Sequence, residues 1–209
     1  AEKVLDEVRA LGGKGYAFKA DMREEDEVKA MVDGVITLYG KIDFLICNHG
    51  GDFAPRDITE IEHEQWRSVI KAELDGLFYC IKHTLPHMRR ARNGRIIAVS
   101  MAGAEHFDAP PYDYNLGKAG RNALIKSLAA REFDKGVTLN IVAPSHTPRY
   151  NMKQAVEAAK HSSAWKRRAS AQPQDVAEVV RFLCSDEAVF VTGSVIELAG
   201  KTKTGLQLN

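Results

Sequence analysis

Apolar positions follow two different periods along the 209-residue chain. A period near 3.6 predicts helices, and short apolar runs between them predict strands. The run at 42–47 is apolar almost throughout, as expected of a strand covered on both faces, and Pro86 is expected to bend or end the long third helix. The helices are predicted over residues 1–11, 24–39, 62–90, 111–133 and 175–184, and the strands over residues 16–20, 42–47, 95–100, 137–143 and 195–198.

Strands that alternate with helices predict a single α/β domain over residues 1–209, with a doubly wound parallel sheet and helices on both faces. In such open sheets ligands bind beyond the carboxyl ends of the strands. The segments just after those ends are small, polar or rich in glycine, and they form the candidate site: Asp21, residues 48–51, residues 100–103 and residues 144–147.

Composition narrows the class of protein further. The chain has 29 basic and 28 acidic residues, so its charge of +1 gives no reason to expect binding to nucleic acid or to a membrane surface. It carries no apolar stretch long enough to span a membrane, and its charged first residues do not resemble a signal peptide. Three scattered cysteines, Cys47, Cys80 and Cys184, are predicted to be buried thiols. These features favour a cytoplasmic protein.

Tyr114 and Lys118 lie four residues apart on one face of a predicted helix. A phenol titrates near pH 10 in water, and a neighbouring ammonium is expected to stabilise the phenolate and lower that pKa. The pair is therefore a candidate acid–base couple. An exposed pair of helix side chains with no such role has the same spacing.

Five ordered segments together resemble the short-chain dehydrogenase/reductase family. Residues 20–51 are similar to the family's stretch from an adenine-contacting Asp to an Asn-Asn-Ala-Gly turn, and residues 94–103 to the strand that ends in the active-site serine. Residues 114–118 match the family's catalytic Tyr-x-x-x-Lys. Residues 139–147 are similar to the strand and turn that hold the nicotinamide, and residues 172–200 to the closing helix and strand.

The resemblance implies a Rossmann-type domain that transfers hydride between NAD or NADP and a secondary alcohol or ketone. It implies a proton-transfer role for Tyr114 and an activating role for Lys118. Ser100 would polarise the carbonyl as a preorganised donor. The implied cofactor-binding residues are Asp21, Asn48, Gly50, Tyr114, Lys118, Pro144 and Thr147.

The sequence departs from the family pattern in its first residues. It begins in the helix that follows the family's first strand, glycine-rich turn, first helix and second strand, and residues 12–15 are better interpreted as a helix C-cap than as a phosphate loop. Two interpretations stay open: an incomplete copy of an enzyme, or a catalytically silent assembly or binding subunit that has lost the cofactor.

Two further departures fall in the candidate site. The family's usual interval from Tyr114 leads to Met101 rather than Ser100, although the strand-end pattern favours Ser100. Glu73 occupies the place of an active-site asparagine, and it either pairs with Lys118 or is a solvated helix residue.

Partner predictions rest on weaker signals. A basic segment at about 149–172, which covers the substrate in the family, suggests an anionic substrate or acyl carrier, or else is a solvated surface. The apolar helix at 111–133 suggests a homodimer or homotetramer. No metal site is expected from the sequence, because His83 and His87 are interpreted as a surface pair. His49, His106 and His146 are expected at the rim of the cleft, where each either contacts substrate or is a loop residue without such a role.

Overall fold

Four parallel strands form one sheet in the order β1-β2-β3-β4. The computed structural model describes residues 2–106, 109–148, 150–151, 153–154, 157 and 171–199. The strands are β1 (Phe44–Cys47), β2 (Gly94–Val99), β3 (Val137–Pro144) and β4 (Val195–Leu198). The helices are α1 (Glu2–Ala10), α2 (Glu25–Tyr39), α3 (His63–Ile70), α4 (Gly76–Ala91), α5 (Tyr112–Phe133) and α6 (Pro173–Leu183). A five-residue π-turn (Lys71–Asp75) joins α3 to α4, and three 3₁₀ turns lie at Ile58–Glu60, Ala104–His106 and Asp186–Ala188.

Helices cover both faces of the central strands, so the predicted doubly wound arrangement is confirmed. Successive residues of β2 point to opposite faces. Ile96 packs into the larger apolar core, which includes residues of α4 and α5, whereas Ile97 packs into a smaller core formed with α6. Every residue of β2 except Val99 is buried, as is typical of a parallel strand between two helical layers.

The strand at 42–47 is only partly the buried strand that its pattern predicts. β1 is an edge strand of the described sheet, and Phe44 and Ile46 are 52% and 40% exposed. Their neighbours Leu45 and Cys47 point to the opposite face and pack in the larger core. The prediction of cover on both faces is wrong because the described residues place α4 against one face of β1 and leave the other open.

Two other predictions also require correction. Residues 16–20 pair with no strand in the part of the chain that the structure describes; instead Phe18 packs against Gly34 of α2. Pro86 neither ends nor breaks α4, which continues to Ala91. The lost hydrogen bond costs about 3 kcal/mol, and burial of Leu85 and Met88 on either side of the proline offsets that cost.

The carboxyl ends of β1, β2 and β3 lie at one edge of the sheet, and the predicted site segments follow them there. Cys47 and Cys80 are buried free thiols and Cys184 is a half-buried one. No helix among the described residues is long and apolar enough to cross a membrane. The basic segment at about 149–172 falls largely outside the described residues.

Candidate active site

A buried carboxylate lies at the centre of the site. The π-turn between α3 and α4 carries Glu73, whose side chain is fully buried. One carboxylate oxygen accepts a hydrogen bond from the backbone N–H of Gly51 at 2.8 Å. The other lies 3.1 Å from Lys118 Nζ and 2.8 Å from Arg121 Nε. The interpretation of Glu73 as a solvated helix residue is therefore wrong, and its predicted pairing with Lys118 is confirmed.

Arg121 ties the site to the ends of two strands. Its guanidinium is fully buried and donates hydrogen bonds to four backbone carbonyls. These belong to Glu73 (2.9 Å), Cys47 (3.3 Å), Val99 (2.9 Å) and His49 (2.7 Å). Arg121 therefore fixes α5 against the carboxyl ends of β1 and β2. Sequence analysis missed this residue, although an arginine three residues after Lys118 falls on the same helix face as the lysine.

Two glycines leave room for this buried ion cluster. A Cβ at Gly50 would lie 2.6 Å from Glu73 Oε1 and 3.2 Å from Lys118 Nζ. A Cβ at Gly117 would lie 2.6 Å from the Cβ of Glu73. The family resemblance assigns Gly50 to cofactor binding, but this position also needs a glycine because a larger residue would contact Glu73 and Lys118. Either substitution would push the carboxylate away from its cations.

Tyr114 and Lys118 lie close together on α5, as predicted. Lys118 Nζ is 5.0 Å from the centre of the Tyr114 ring, and Phe53 packs edge-on against that ring at 5.3 Å between centroids. Burial, followed by the charge of Glu73, raises the pKa of Tyr114 to about 12. The expectation of a lowered phenol pKa is therefore wrong for this structure, because burial disfavours the phenolate and the negative charge of Glu73 opposes it further.

Lys118 is a buried ammonium that has more donor hydrogens than its one described ion pair uses. Burial, followed by the charge of Arg121, lowers its pKa to about 8, and Glu73 partly opposes that shift. An ammonium carries three donor hydrogens, and within the described ranges its ion partner is Glu73. These donors lie at the carboxyl edge of the sheet and fit the ribose hydroxyls of a nicotinamide nucleotide. The described residues thus fit the nicotinamide end of a dinucleotide.

Ser100 lies in the site, with its hydroxyl turned toward the backbone of α5. The side chain is buried, and Oγ donates to the carbonyl oxygen of Lys118 at 3.1 Å. A hydroxyl has one proton to donate, so this bond must open before Ser100 can donate to a substrate. The half-buried Met101 follows directly and brings no hydroxyl to the same turn.

The remaining predicted cofactor residues lie at strand ends or in turns. Asp21 pairs with Arg23 at 2.6 Å, and hydrogen bonds from Arg23 lower the pKa of the Asp21 carboxyl to about 2. Asn48 is exposed in the turn after β1. Pro144 ends β3, and the Thr147 hydroxyl donates to the Ser145 carbonyl at 3.0 Å. The carboxylate of Asp21 is thus already engaged by a neighbouring arginine.

Comparison with known proteins identifies the family. The family model described as "Enoyl-(Acyl carrier protein) reductase" matches residues 1–200. The 3-oxoacyl-[acyl-carrier-protein] reductase FabG of Staphylococcus aureus is 32% identical over 96% of this chain and 82% of its own length. The cyclohexanol dehydrogenase of an Acinetobacter species is 33% identical over 93% of this chain and 77% of its own length. A crystal structure of NAD⁺-bound xylitol dehydrogenase has the same fold, with a TM-score of 0.84 and 24% identity over 95% of this chain and 84% of that one.

These matches and the parallel sheet define an α/β oxidoreductase of the Rossmann type. The chain belongs to the short-chain dehydrogenase/reductase family. Members of this family are NAD(P)-dependent oxidoreductases that act on alcohol and ketone groups, and this chain is one of them.

Proposed function

We propose that this protein is a cytoplasmic ketone reductase in which Tyr114 donates the proton and Lys118 orients the nucleotide. The observation that carries the proposal is the arrangement of Tyr114, Lys118 and Glu73 at the carboxyl edge of the sheet. The raised pKa of Tyr114, about 12, keeps the phenol protonated at neutral pH. Ketone reduction needs a protonated acid, whereas alcohol oxidation needs the phenolate, so this site favours reduction.

Each side chain has a defined task in this proposal. When bound, NAD(P)H supplies the hydride that converts the ketone to a secondary alcohol. Tyr114 donates its phenolic proton to the substrate oxygen as negative charge develops there. Lys118 hydrogen-bonds the ribose with its remaining donors, and Glu73 holds that ammonium in place at 3.1 Å. Asn48, Gly50, Pro144 and Thr147 are the proposed neighbours of the nicotinamide, and Asp21 that of the adenine.

Ser100 is the proposed donor to the substrate carbonyl. It must exchange its present bond to the Lys118 carbonyl for one to the substrate. Such a donor contributes roughly 10²–10³ in rate where it is preorganised, and the cost of breaking the present bond reduces that contribution. Ser100→Ala is therefore expected to lower kcat by less than this range, and Met101→Ala to leave kcat within about twofold.

The substrate class follows from the relatives. One relative is named for a 3-oxoacyl group carried by a protein and another for cyclohexanol, so we propose a ketone or secondary alcohol next to an apolar group. Exposed Phe78 on α4 and Leu116 on α5, which are 47% and 50% exposed, support a homodimer or homotetramer through these helices. Light scattering coupled to gel filtration measures that assembly directly.

The decisive experiment compares Tyr114→Phe with Tyr112→Phe. Both substitutions remove one hydroxyl from the first turn of α5, but only Tyr114 has a lysine four residues later. With NADH or NADPH and a panel of 3-oxoacyl thioesters and cyclic ketones, Tyr114→Phe should abolish turnover, while Tyr112→Phe should keep wild-type kcat. Equal turnover of both variants would refute the assignment of Tyr114.

A silent binding subunit is the second candidate, and the engaged hydroxyl of Ser100 favours it. Nicotinamide fluorescence separates the two functions, because a working reductase must bind NADH or NADPH saturably. Binding with a Kd below about 100 μM, roughly −5.5 kcal/mol, supports the reductase. A folded chain that binds neither nucleotide supports the silent subunit.

A further inference from the structure

Three soft ligand groups meet beneath the turn that follows β1. The thiols of Cys47 and Cys80 and one ring nitrogen of His49 all lie within 4.8 Å of one another. Cys47 is the last residue of β1, His49 lies in the turn after it, and Cys80 lies on α4. The packing of α4 against β1 thus brings Cys80 next to Cys47 and His49, which lie more than 30 residues earlier in the sequence.

The imidazole of His49 occupies a space that the neighbouring helix leaves open. Its Nε2 atom is buried and has no hydrogen-bond partner among the described residues. A buried polar nitrogen without a partner destabilises the fold, and a bound ligand would remove that cost by pairing with the nitrogen. A Cβ at Gly76 would lie 3.0 Å from this atom, and Gly76 is one helical turn before Cys80. The missing side chain at Gly76 therefore makes room for the ring.

The backbone that carries two of these groups is held rigidly. Arg121 donates hydrogen bonds to the carbonyls of both Cys47 and His49, at 3.3 and 2.7 Å. The thioether sulfur of Met22 lies 3.9 Å from Cys80 Sγ. Two thiols and one imidazole thus lie close together on a rigid backbone, with a thioether beside one of the thiols.

We propose that Cys47, His49 and Cys80 bind one thiophilic closed-shell cation, of the class of Zn²⁺ and Cu⁺, with Met22 as a fourth donor for Cu⁺. In a tetrahedral zinc site ligand atoms lie about 3.6–3.8 Å apart, from bonds of about 2.0–2.3 Å. The present spacing requires side chains to close by about 1 Å. Each thiol releases its proton on binding, so Zn²⁺ with two thiolates forms a neutral unit. Soft sulfur ligands select these cations over Mg²⁺ and Ca²⁺.

The test is a titration of the reduced 209-residue chain with Co²⁺, followed by displacement with Zn²⁺. We expect a thiolate-to-cobalt charge-transfer band that saturates at one Co²⁺ per chain and disappears when Zn²⁺ is added. Cys80→Ser and His49→Ala should each weaken binding at least about tenfold, the loss that even outer-shell partners cause. Cys184→Ser is the matched control and should leave affinity unchanged, because this thiol lies outside the cluster.

Two further measurements keep the proposal open to refutation. Gly76→Ala retains all the ligand atoms but crowds the ring, so it should weaken Co²⁺ binding while far-UV circular dichroism confirms the fold. For Cu⁺, competition with a chromophoric chelator should show tighter binding to the wild type than to Met22→Leu. The proposal fails if the wild type gives no charge-transfer band, if Cys184→Ser removes the band, or if the reduced chain is folded and binds none of these ions. It also fails if mass spectrometry finds that Cys47 and Cys80 form a disulfide in the chain purified under reducing conditions.

Discussion

Replacing Glu73 with glutamine removes the negative charge that faces Tyr114 while keeping the size of the side chain. The carboxylate lies 3.1 Å from Lys118 Nζ, which is 5.0 Å from the phenol ring centre. Glu73 is therefore within about 8 Å of the ring, where one unit charge contributes about 2 kcal/mol at an effective dielectric constant of 20. That energy corresponds to about 1.5 pH units. We expect the pKa of Tyr114 to fall by about that amount in Glu73→Gln.

The assay is the pH dependence of kcat/KM for alcohol oxidation and for ketone reduction. Oxidation requires the phenolate, so a lower phenol pKa moves the alkaline rise of oxidation to lower pH. The alkaline rise in kcat/KM for oxidation should therefore lie about 1.5 pH units lower in Glu73→Gln than in the wild type. Superimposable pH profiles of the two proteins would refute the electrostatic role of Glu73.

A second buried glutamate supplies the matched control for this substitution. The Glu132 carboxylate also forms ion pairs with two basic side chains, Arg89 at 2.6 Å and Lys135 at 3.0 Å, and its side chain is 2% exposed. Glu132→Gln removes a comparable ion pair at the opposite end of α5, so it should lower stability without moving the pH profile.

Three further predictions concern stability. Arg121→Met leaves four backbone carbonyls without their side-chain donor and should lower the free energy of unfolding by about 3–5 kcal/mol in urea denaturation; a loss below about 1 kcal/mol contradicts this. Gly117→Ala should cost about 1–3 kcal/mol because its Cβ meets a packed side chain, whereas Gly34→Ala, which meets only a half-buried ring, should be neutral or stabilising. The pKa of Lys118 is about 8 in the folded chain and about 10.4 in the unfolded chain. Burial of the ammonium therefore lowers the free energy of unfolding most below pH 8, and this loss shrinks as the pH rises to about 10.4. Relative to Lys118→Met, the wild type should thus gain about 3 kcal/mol of stability over that pH range, and parallel pH dependences would contradict the burial of this ammonium.

The hydrophobic pattern predicted two of the elements that carry the site. The strand at 95–100 and the helix at 111–133 both lie within a residue or so of their predicted bounds, because a short apolar run marks the strand and Pro111 directly precedes the helix. The exposure of Phe44 on one face of β1 was not predictable. An apolar run indicates that burial of its side chains is favourable, but it does not show which element of the fold covers them. The partners of a polar side chain are likewise set by tertiary packing. The bond from Ser100 to the Lys118 carbonyl therefore had no signal in the sequence.

The π-turn explains how one carboxylate serves both the stability and the chemistry of the site. It adds a residue to the helical path between α3 and α4, and such insertions change the direction of side chains and occur often at functional sites. As a result Glu73 faces α5, while Leu77 and Cys80 still face the core. Lys118 and Arg121 together carry two positive charges against one carboxylate, so the described cluster holds an excess cation out of water. That excess costs stability. At Tyr114, however, the carboxylate of Glu73 acts more strongly than the guanidinium of Arg121 and, after burial, is the main cause of the raised phenol pKa. The phenol therefore stays protonated at neutral pH, which is the state that the proposed ketone reduction needs.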